Sequence, residues 1–384
     1  MKRKSFHTGC ALLLAGLLTL PTGMACTRNK NLSTTETETV PVQTAVSADD
    51  MKALAEALPQ YELVYGFHEG LACVMRDGKY GFIDKTGNEV IPCQYVSIIH
   101  DFQEGLACMG IGDEQCVFID RQGNVAFEVD KKYSFGEEGF CCGRLAVWKP
   151  VSAEAYHRAW EAGEGLVGTL GFLDTTGQLV IPLQYDVRFS DMGSDYHGFH
   201  NDVCLVYKDG TEFYIDKNGN KVDYDARFDD YSEGLCWAEK DGKWGFIDKE
   251  GNVVVPYEYD TQTLLDGMES LESSFHEGLA WVCKGDMFGY IDKEGKVVVP
   301  FRYKIGYNEE MGWTDMQPTY DFHEGLARVW DYQHEKFGFI DKTGNEVFPC
   351  EFDEADDVSD GLALVKKGDQ YGFIDTKGNS TFDF

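Results

Sequence analysis

Short apolar runs separated by turn residues recur over most of the chain, and the clearest copy lies between Tyr231 and Pro256. The pair Asp241-Gly242 stands between two of these runs, which is the strongest short-range signal for a β-hairpin. A second turn follows at Asp248, because an Asp side chain bonds its own backbone and Gly251 can adopt a left-handed conformation. The segment therefore predicts three antiparallel strands joined by two tight turns.

The second turn occurs eight times with the same Asp-x-x-Gly spacing. The pairs are Asp84 and Gly87, Asp120 and Gly123, Asp174 and Gly177, Asp216 and Gly219, Asp248 and Gly251, Asp292 and Gly295, Asp341 and Gly344, and Asp375 and Gly378. Self-similarity at intervals of this length is the signature of a repeat protein, in which each unit contacts mainly its neighbours. Successive aspartates are 32 to 54 residues apart, which predicts a unit of about thirty residues with loop insertions.

An aromatic residue followed by glycine opens the middle strand of most copies, as in Trp244-Gly245. A glycine inside a strand is unfavourable unless another group must approach the backbone closely. We expect a neighbouring aromatic ring to occupy that space, and we expect the proline at position 256 to end the third strand. These repeated residues are therefore predicted to have turn and packing roles.

With these residues the chain resembles the bacterial WG repeat family, whose units also open with Glu-Gly-Leu. That opening begins at Glu69, Glu104, Glu233, Glu277 and Glu324, with a variant at Asp360. The resemblance extends from about Tyr61 to Phe384. Repeats two and four depart from it at Cys116-Val117 and Glu212-Phe213, where the aromatic residue and glycine belong. The resemblance implies a repeat fold used for binding or scaffolding, without an activity common to the family.

The predicted architecture is all-β, with tandem three-stranded antiparallel repeats that form an open curved array. A closed β-propeller is the alternative, although propeller blades normally have four strands and regular repeat lengths. A short helical cap precedes the first repeat, since Met51, Leu54 and Leu58 fall on one helical face before Pro59. A second short helix is expected in the insertion around Trp160.

The N-terminus has the pattern of an export signal, with basic residues at positions 2–4 and an apolar stretch at 11–20 that is too short to span a bilayer. Gly23-Met24-Ala25 before Cys26 resembles a bacterial lipobox, in which the cysteine becomes lipid-modified and starts the mature chain. An ordinary signal peptidase site, giving a secreted protein, is the alternative. The predicted layout is a signal peptide at 1–25, a flexible tether at 26–50, a helical cap at 51–60 and the repeat array at 61–384.

The chain carries 34 basic and 66 acidic residues, for a formal net charge of −32. Such a chain repels phosphate backbones and anionic membrane surfaces. Nucleic acid is therefore not expected as a partner, and the membrane is expected only through the lipid anchor.

No motif for a metal, a cofactor or a catalytic residue is present in the sequence. The ten cysteines after Cys26 replace ordinary apolar residues of other copies and are expected to fill the core, with one or two disulfides left open. His68, His276 and His323 occur once per repeat, which favours a turn or surface role. Neither a metal site nor a cofactor site is predicted.

Trp160 and Trp313 lie in insertions outside the repeat pattern, so they are the candidate binding aromatics, with packing over the array as the alternative. The sequence thus predicts an envelope-anchored binding or scaffold module for a protein or a glycan, located in the periplasm or at the cell surface. The alternatives are a glycan-processing enzyme with converging acids, and a structural spacer without a ligand.

Overall fold

The computed structural model describes residues 46–112, 115–152, 166–188, 198–224, 231–260, 273–285, 287–304, 320–331 and 334–383. These residues form two compact units, the larger from 46–228 and 303–384 and the smaller from 229–302. Each Asp-x-x-Gly turn of the sequence belongs to a separate sheet, so the described residues contain eight sheets.

In the larger unit, helix α1 (Ala48–Ala57) and a 3-10 turn (Leu58–Gln60) precede the first sheet, and a second 3-10 turn (Thr381–Asp383) follows the last. The first sheet is formed by β1 (Leu63–His68), β2 (Leu71–Arg76), β3 (Lys79–Asp84) and β4 (Glu89–Tyr95). The second is formed by β5 (Ser97–Gln103), β6 (Leu106–Gly112), β7 (Gln115–Asp120) and β8 (Val125–Glu128). The third is formed by β9 (Ser134–Cys141), β10 (Arg144–Pro150), β11 (Leu166–Leu173) and β12 (Leu179–Arg188). The fourth is formed by β13 (Val203–Lys208), β14 (Thr211–Asp216) and β15 (Lys221–Val222).

The smaller unit holds the fifth sheet, of β16 (Leu235–Lys240), β17 (Lys243–Asp248) and β18 (Val253–Tyr259), and the sixth, of β19 (Leu279–Lys284), β20 (Met287–Asp292) and β21 (Val297–Lys304). The seventh and eighth sheets return to the larger unit. They are formed by β22 (Phe322–His323), β23 (Leu326–Asp331), β24 (Lys336–Asp341) and β25 (Glu346–Phe352), and by β26 (Glu354–Ala355), β27 (Leu362–Lys367) and β28 (Gln370–Asp375). The prediction of an all-β chain of tandem antiparallel repeats is confirmed.

The fifth repeat shows why this sequence forms sheet. Strands β16 and β17 pair antiparallel with Trp237 opposite Phe246, and their hairpin turns at Asp241 and Gly242, which have φ values of 54° and 75°. Positive φ at both central residues is the type I′ geometry, whose twist matches that of the flanking strands. The next strand, β18, continues the same sheet in chain order.

Five sheets carry a strand that the three-stranded unit does not include. This additional strand is β1, β5, β9 or β22 in the four-stranded sheets and β26 in the eighth sheet. It precedes the Glu-Gly or Asp-Gly pair, or Cys142-Gly143 in the third repeat. In the first repeat it joins β2 through a turn at Glu69 and Gly70, with φ values of 51° and 86°. The Glu-Gly pair is therefore a second type I′ hairpin, although an acidic residue in this conformation is uncommon.

The glycine of the aromatic-glycine pair has a different neighbour from the one expected. A Cβ on Gly245 would lie 2.4 Å from the carbonyl oxygen of Val255, so the backbone of β18, and not an aromatic ring, occupies the space. The pairing of β17 with β18 changes register there, and Pro256 lies within β18. Proline is tolerated at such an irregularity because it removes no regular ladder bond. Only the eighth repeat has a ring at this place, that of Phe382 against Gly372, among the copies that the structure describes.

Neighbouring sheets share their apolar side chains. In the first two repeats, Phe82 and Ile91 form one buried cluster with Phe102 and Met109. In several repeats the glycine of the Asp-x-x-Gly turn contacts the third strand of the repeat before it, as Gly123 contacts Ile91. The ten cysteines of the described residues are present as thiols, and five of them are buried: Cys73, Cys108, Cys204, Cys236 and Cys283.

The N-terminal segment completes the eighth repeat, which has no regular third strand of its own. Helix α1 begins with a capping box between Ser47 and Asp50, and its buried Met51 and Leu54 share a core with Phe67 of the first repeat and Phe373 of the eighth. The turn glycine of the first repeat, Gly87, contacts the helix where later turn glycines contact a third strand.

Candidate functional site

The turn aspartates are fully engaged by their own backbone. Asp248 Oδ1 accepts the N–H groups of Glu250 and Asn252 at 3.1 and 2.8 Å, and its Oδ2 accepts the Asn252 side chain at 2.9 Å. Hydrogen bonding by Asn252 holds the pKa of this carboxyl below its usual range. The same arrangement recurs at Asp84 and Asp341. A carboxylate held in this way is a structural part of the turn and is not presented to a ligand.

Several predicted site residues fall where the structure gives no description. Cys26, Trp160 and Trp313 lie outside the described residues. Within the described ranges, no group of three metal-ligating side chains is arranged to hold a metal ion. The same ranges contain no helix with both the length and the apolar character needed to cross a membrane.

The acidic residue of the Glu-Gly hairpin links one repeat to the next. Glu69 accepts the backbone N–H of Gly105 at 2.8 Å, and Glu104 accepts that of Gly143 at 2.7 Å. In the smaller unit, Glu233 makes the equivalent bond to Gly278 at 3.1 Å. We call this bond the latch. It explains why a strained left-handed position carries a carboxylate, because a charge-assisted bond offsets part of that strain.

The latch also runs from the last repeat to the first. Asp360 Oδ2 accepts the N–H of Gly70 at 2.5 Å, and the ammonium of Lys85 donates to the Asp360 carbonyl oxygen. The rings of Phe67 and Phe373, from the same two repeats, have centroids 4.9 Å apart in a common buried core. The contact brings the first strands of four repeats, numbers seven, eight, one and two, into one neighbourhood.

Ionisable side chains converge in this neighbourhood, next to Gly66. A Cβ on Gly66 would lie 3.7 Å from Oδ2 of Asp356 and 3.9 Å from Nε2 of His68. His68 also interacts electrostatically with the carboxyl of Asp101 in the second repeat. We call the group formed by Gly66, His68, Asp101, Asp356, Asp357 and Arg328 the junction depression.

Asp356 is exposed to solvent by surface area, yet protein atoms surround it closely enough to desolvate its charge. Burial raises the pKa of Asp356, and the Arg328 guanidinium acts in the opposite direction. The carboxyl is thus accessible but poorly hydrated, which strengthens its interaction with a cation.

Asp101 shows the larger effect. Burial raises its pKa to about 6, although His68 and a 2.7 Å hydrogen bond from the N–H of Phe102 oppose the rise. Such a carboxyl changes charge between mildly acidic and neutral pH. It is a candidate proton donor or a pH-dependent anionic contact.

Arg328 supports the opposite wall. It is only 9% exposed, donates to the carbonyl oxygen of Ala355, and has its Nε 3.5 Å from Oδ1 of Asp357. Its guanidinium also lies 5.5 Å from the ring centre of Phe337. His323 Nε2 is 3.9 Å from Oδ2 of Asp357, an ion pair only when the imidazole is protonated. Arg328 is therefore held in place, and the depression keeps an acidic character.

The sequence patterns did not predict that these residues lie close together. His68 and His323 were predicted to have turn or surface roles, and His68 is indeed exposed, but each imidazole lies beside a carboxyl of another repeat. One feature of the sequence does point to this group of residues. The residue three places before the Glu-Gly or Asp-Gly pair is acidic in three of the four repeats concerned and glycine in the other: Asp321, Asp357, Asp101 and Gly66.

The model of the WG containing repeat family matches residues 58–80, 80–113, 171–211, 213–244, 244–261, 288–306 and 337–371. The chain belongs to this family. More than half of its residues lie within these matches, so the resemblance predicted from the Glu-Gly-Leu and aromatic-glycine residues is confirmed. A comparison with curated proteins found no match.

Solved structures similar to this WG repeat chain include three proteins of low sequence identity. A computationally designed protein, Ika8, is 13% identical over 82% of this chain and 96% of its own, with a TM-score of 0.40. Apo AztD from Citrobacter koseri is 11% identical over 74% and 84%, with a TM-score of 0.36. BamB from Moraxella catarrhalis is 10% identical over 81% and 83%, with a TM-score of 0.25. Likeness at this level carries no argument about function.

Proposed function

We propose that this WG repeat protein is an envelope-anchored binding module, and that it holds a basic segment of another protein in the junction depression. The observation that carries the proposal is the convergence beside Gly66 of the exposed Asp356 carboxyl and the His68 imidazole, which in turn interacts with Asp101. A lysine or arginine side chain entering the junction depression would meet carboxylates that protein atoms already shield from water. The net charge of −32 favours the approach of a basic partner from a distance.

The rest of the repeat is less suited to binding. Its aspartates close turns, its glycines accommodate neighbouring backbone, and its latch carboxylates bond the next repeat. Side chains occupied in this way hold the scaffold in one geometry. A rigid array with a few unoccupied charged groups is the usual design of a binding module, because it loses little conformational entropy when the ligand arrives.

The anchor is part of the same proposal. Export by the signal at 1–25 and lipid modification of Cys26 would leave the array at the end of the tether at 26–50, on the periplasmic or the outer face of the envelope. Labelling cells with radioactive palmitate tests this, because label is expected on the native chain and not on the Cys26→Ala variant. Equal label on both chains would contradict the anchor, and secretion is the alternative.

Binding is tested with the full-length chain and a fluorescein-labelled peptide of alternating lysine and glycine. The same peptide with acetylated lysines is the control ligand. We expect Asp356→Asn to weaken binding of the basic peptide by about tenfold, the effect of losing one shielded charge pair. Glu128→Gln removes an exposed acid outside the depression and should have no effect. Equal affinity for the native and acetylated peptides would overturn the proposal.

The pKa of Asp101 supports a second candidate, a glycan-processing enzyme. A carboxyl with a pKa of about 6 can act as a general acid near neutral pH, which glycoside cleavage requires. Release of reducing ends from purified peptidoglycan, lost in Asp101→Asn and kept in Glu128→Gln, would support this candidate. A chain that neither cleaves glycan nor binds the basic peptide would be the structural spacer.

A further inference from the structure

A separate cavity of about 410 Å³ lies between the N-terminal segment and the eighth repeat. Its lining includes Pro59 and Glu62 from the N-terminal segment, and Asp369, Gln370, Tyr371 and Phe382 from the eighth repeat. The volume is within the range that proteins use for small ligands. None of these residues belongs to the junction depression.

The cavity exists because the eighth repeat is completed by a different kind of segment. In the first repeat, the backbone of β4 fills the space beside Gly81, at 2.5 Å from the place of a Cβ. In the eighth repeat the corresponding place beside Gly372 is filled by the ring of Phe382. Helix α1 and the turn after it have a different outline from the strand they replace, so the space next to Tyr371 remains open.

The residues around this space combine aromatic rings with polar and acidic side chains. Tyr371 and Phe382 are half-buried and line the cavity, while the lining residues Gln370 and Asp369 are exposed. The amide of Gln370 offers both donors and an acceptor, and the carboxylate of Asp369 offers acceptors. The lining residues include no lysine or arginine, so the site does not suit an anion.

Glu62, the other acid of the lining, already has a structural partner. Its Oε1 accepts the backbone N–H of Asp77 at 2.9 Å, as Asp260 and Asp353 accept the N–H of the hairpin turn in the repeat after them. Its carboxylate is thus partly satisfied, which reduces its attraction for a cationic ligand. A neutral ligand with hydroxyl groups and an apolar ring face matches the remaining groups best.

We infer that this cavity is a binding site for one or two rings of a neutral saccharide. The apolar face of the sugar ring would lie against Tyr371 and Phe382, and its hydroxyl groups would bond Gln370 and Asp369. The site does not depend on the proposed binding of a basic protein segment, because the two sites share no residue. Together they would allow the chain to hold a protein close to a glycan.

The test is titration calorimetry of the full-length chain with triacetylchitotriose and with cellotriose, two neutral trisaccharides of different substitution. We expect measurable binding of at least one, and about fivefold weaker binding in Gln370→Ala, since one ligand hydrogen bond is lost. Gln115→Ala is the matched control, because Gln115 is also the exposed first residue of a middle strand, in the second repeat. Both variants should keep the midpoint of thermal unfolding of the native chain.

Two results would overturn the inference: no binding of either trisaccharide at millimolar concentration, or an equal loss of affinity in Gln370→Ala and Gln115→Ala. The basic peptide gives an independent readout with the same preparations. Unchanged peptide binding in Gln370→Ala together with weakened saccharide binding would show that the two sites act separately. If the native chain bound a saccharide but not the basic peptide, the proposed function would be contradicted and the saccharide site would still be supported.

Discussion

The backbone N–H of Gly70 donates a 2.5 Å hydrogen bond to Oδ2 of Asp360, so a carboxylate of the last repeat holds the first hairpin of the chain. The same bond joins the first repeat to the second through Glu69 and Gly105. The same carboxylate-to-backbone hydrogen bond therefore links consecutive repeats and also links the last repeat to the first.

Replacing Asp360 should destabilise the chain more than an equivalent change elsewhere. Asp360→Ala removes a charge-assisted bond and leaves the N–H of Gly70 without its acceptor, at an expected cost of about 1–3 kcal/mol in the free energy of unfolding. Asp209→Ala is the matched control, because Asp209 is exposed and has a φ of 51°, close to the 56° of Asp360. Urea denaturation measures both variants. Equal losses would mean that the latch contributes nothing beyond the backbone strain common to both.

Helix α1 is expected to act as part of the core. Leu54 is fully buried among residues of the first and eighth repeats, so Leu54→Ala should cost about 2–4 kcal/mol through lost contacts and a cavity. Lys52→Ala changes an exposed residue of the same helix and should cost less than about 0.5 kcal/mol. If urea denaturation found the two variants alike, the helix would be a detachable appendage.

The glycine of the middle strand should not tolerate a side chain. A Cβ at Gly81 would lie 2.5 Å from the carbonyl oxygen of Ile91, so Gly81→Ala must displace β4 and should cost about 2–4 kcal/mol. Gly66→Ala, in β1 of the same sheet, meets its nearest atom at 3.7 Å and should be close to neutral in stability. Thermal unfolding of the two variants distinguishes these outcomes, and similar midpoints would refute the close approach of β4.

The stability of the chain should depend on pH through Asp101. Its pKa of about 6 lies above the value near 3.9 of an unfolded chain. The folded state therefore binds the proton more tightly, and the free energy of unfolding falls as the pH rises from about 4 to 6. Above pH 6 the full free-energy cost of burying the ionised Asp101 carboxylate is present, and Asp101→Asn removes this cost.

We expect Asp101→Asn to be more stable than the native chain at pH 8 by about 1 kcal/mol, a figure reduced for the partial exposure of this carboxyl. The difference should disappear near pH 4. The substitution keeps an oxygen for the N–H of Phe102, so it tests the charge alone. Urea denaturation at several pH values measures the effect, with Glu128→Gln as control. A stability difference that does not change with pH would rule out the raised pKa.

Local chemistry made much of the repeat predictable. Asp241-Gly242 specifies a hairpin because glycine adopts positive φ without strain and aspartate tolerates it. Two adjacent residues are therefore enough to predict this turn. The hairpin at Glu69 and Gly70 was missed because a glutamate at positive φ is not favoured locally. Its reason is the bond to Gly105, which belongs to the next repeat and is 36 residues away.

The candidate site was beyond such local rules. His68, Asp101 and Asp356 belong to three different repeats, and each has an unremarkable sequence context. Their proximity follows from the packing of the first repeat on the last, which depends on the core around Phe67 and Phe373. The repeat pattern in the sequence predicts the fold of each repeat, but it does not predict the contact between the first and the eighth repeats.

The sequence by itself determined the eight copies, their turns and the family, because each of these depends on residues within about thirty positions of one another. Only the tertiary structure decided what lies against Gly81, which partner the latch carboxylates bond, and which acids meet at the junction depression. The physical reason is that hydrogen bonding in a turn is local, whereas burial and charge interaction depend on residues brought together from distant parts of the chain.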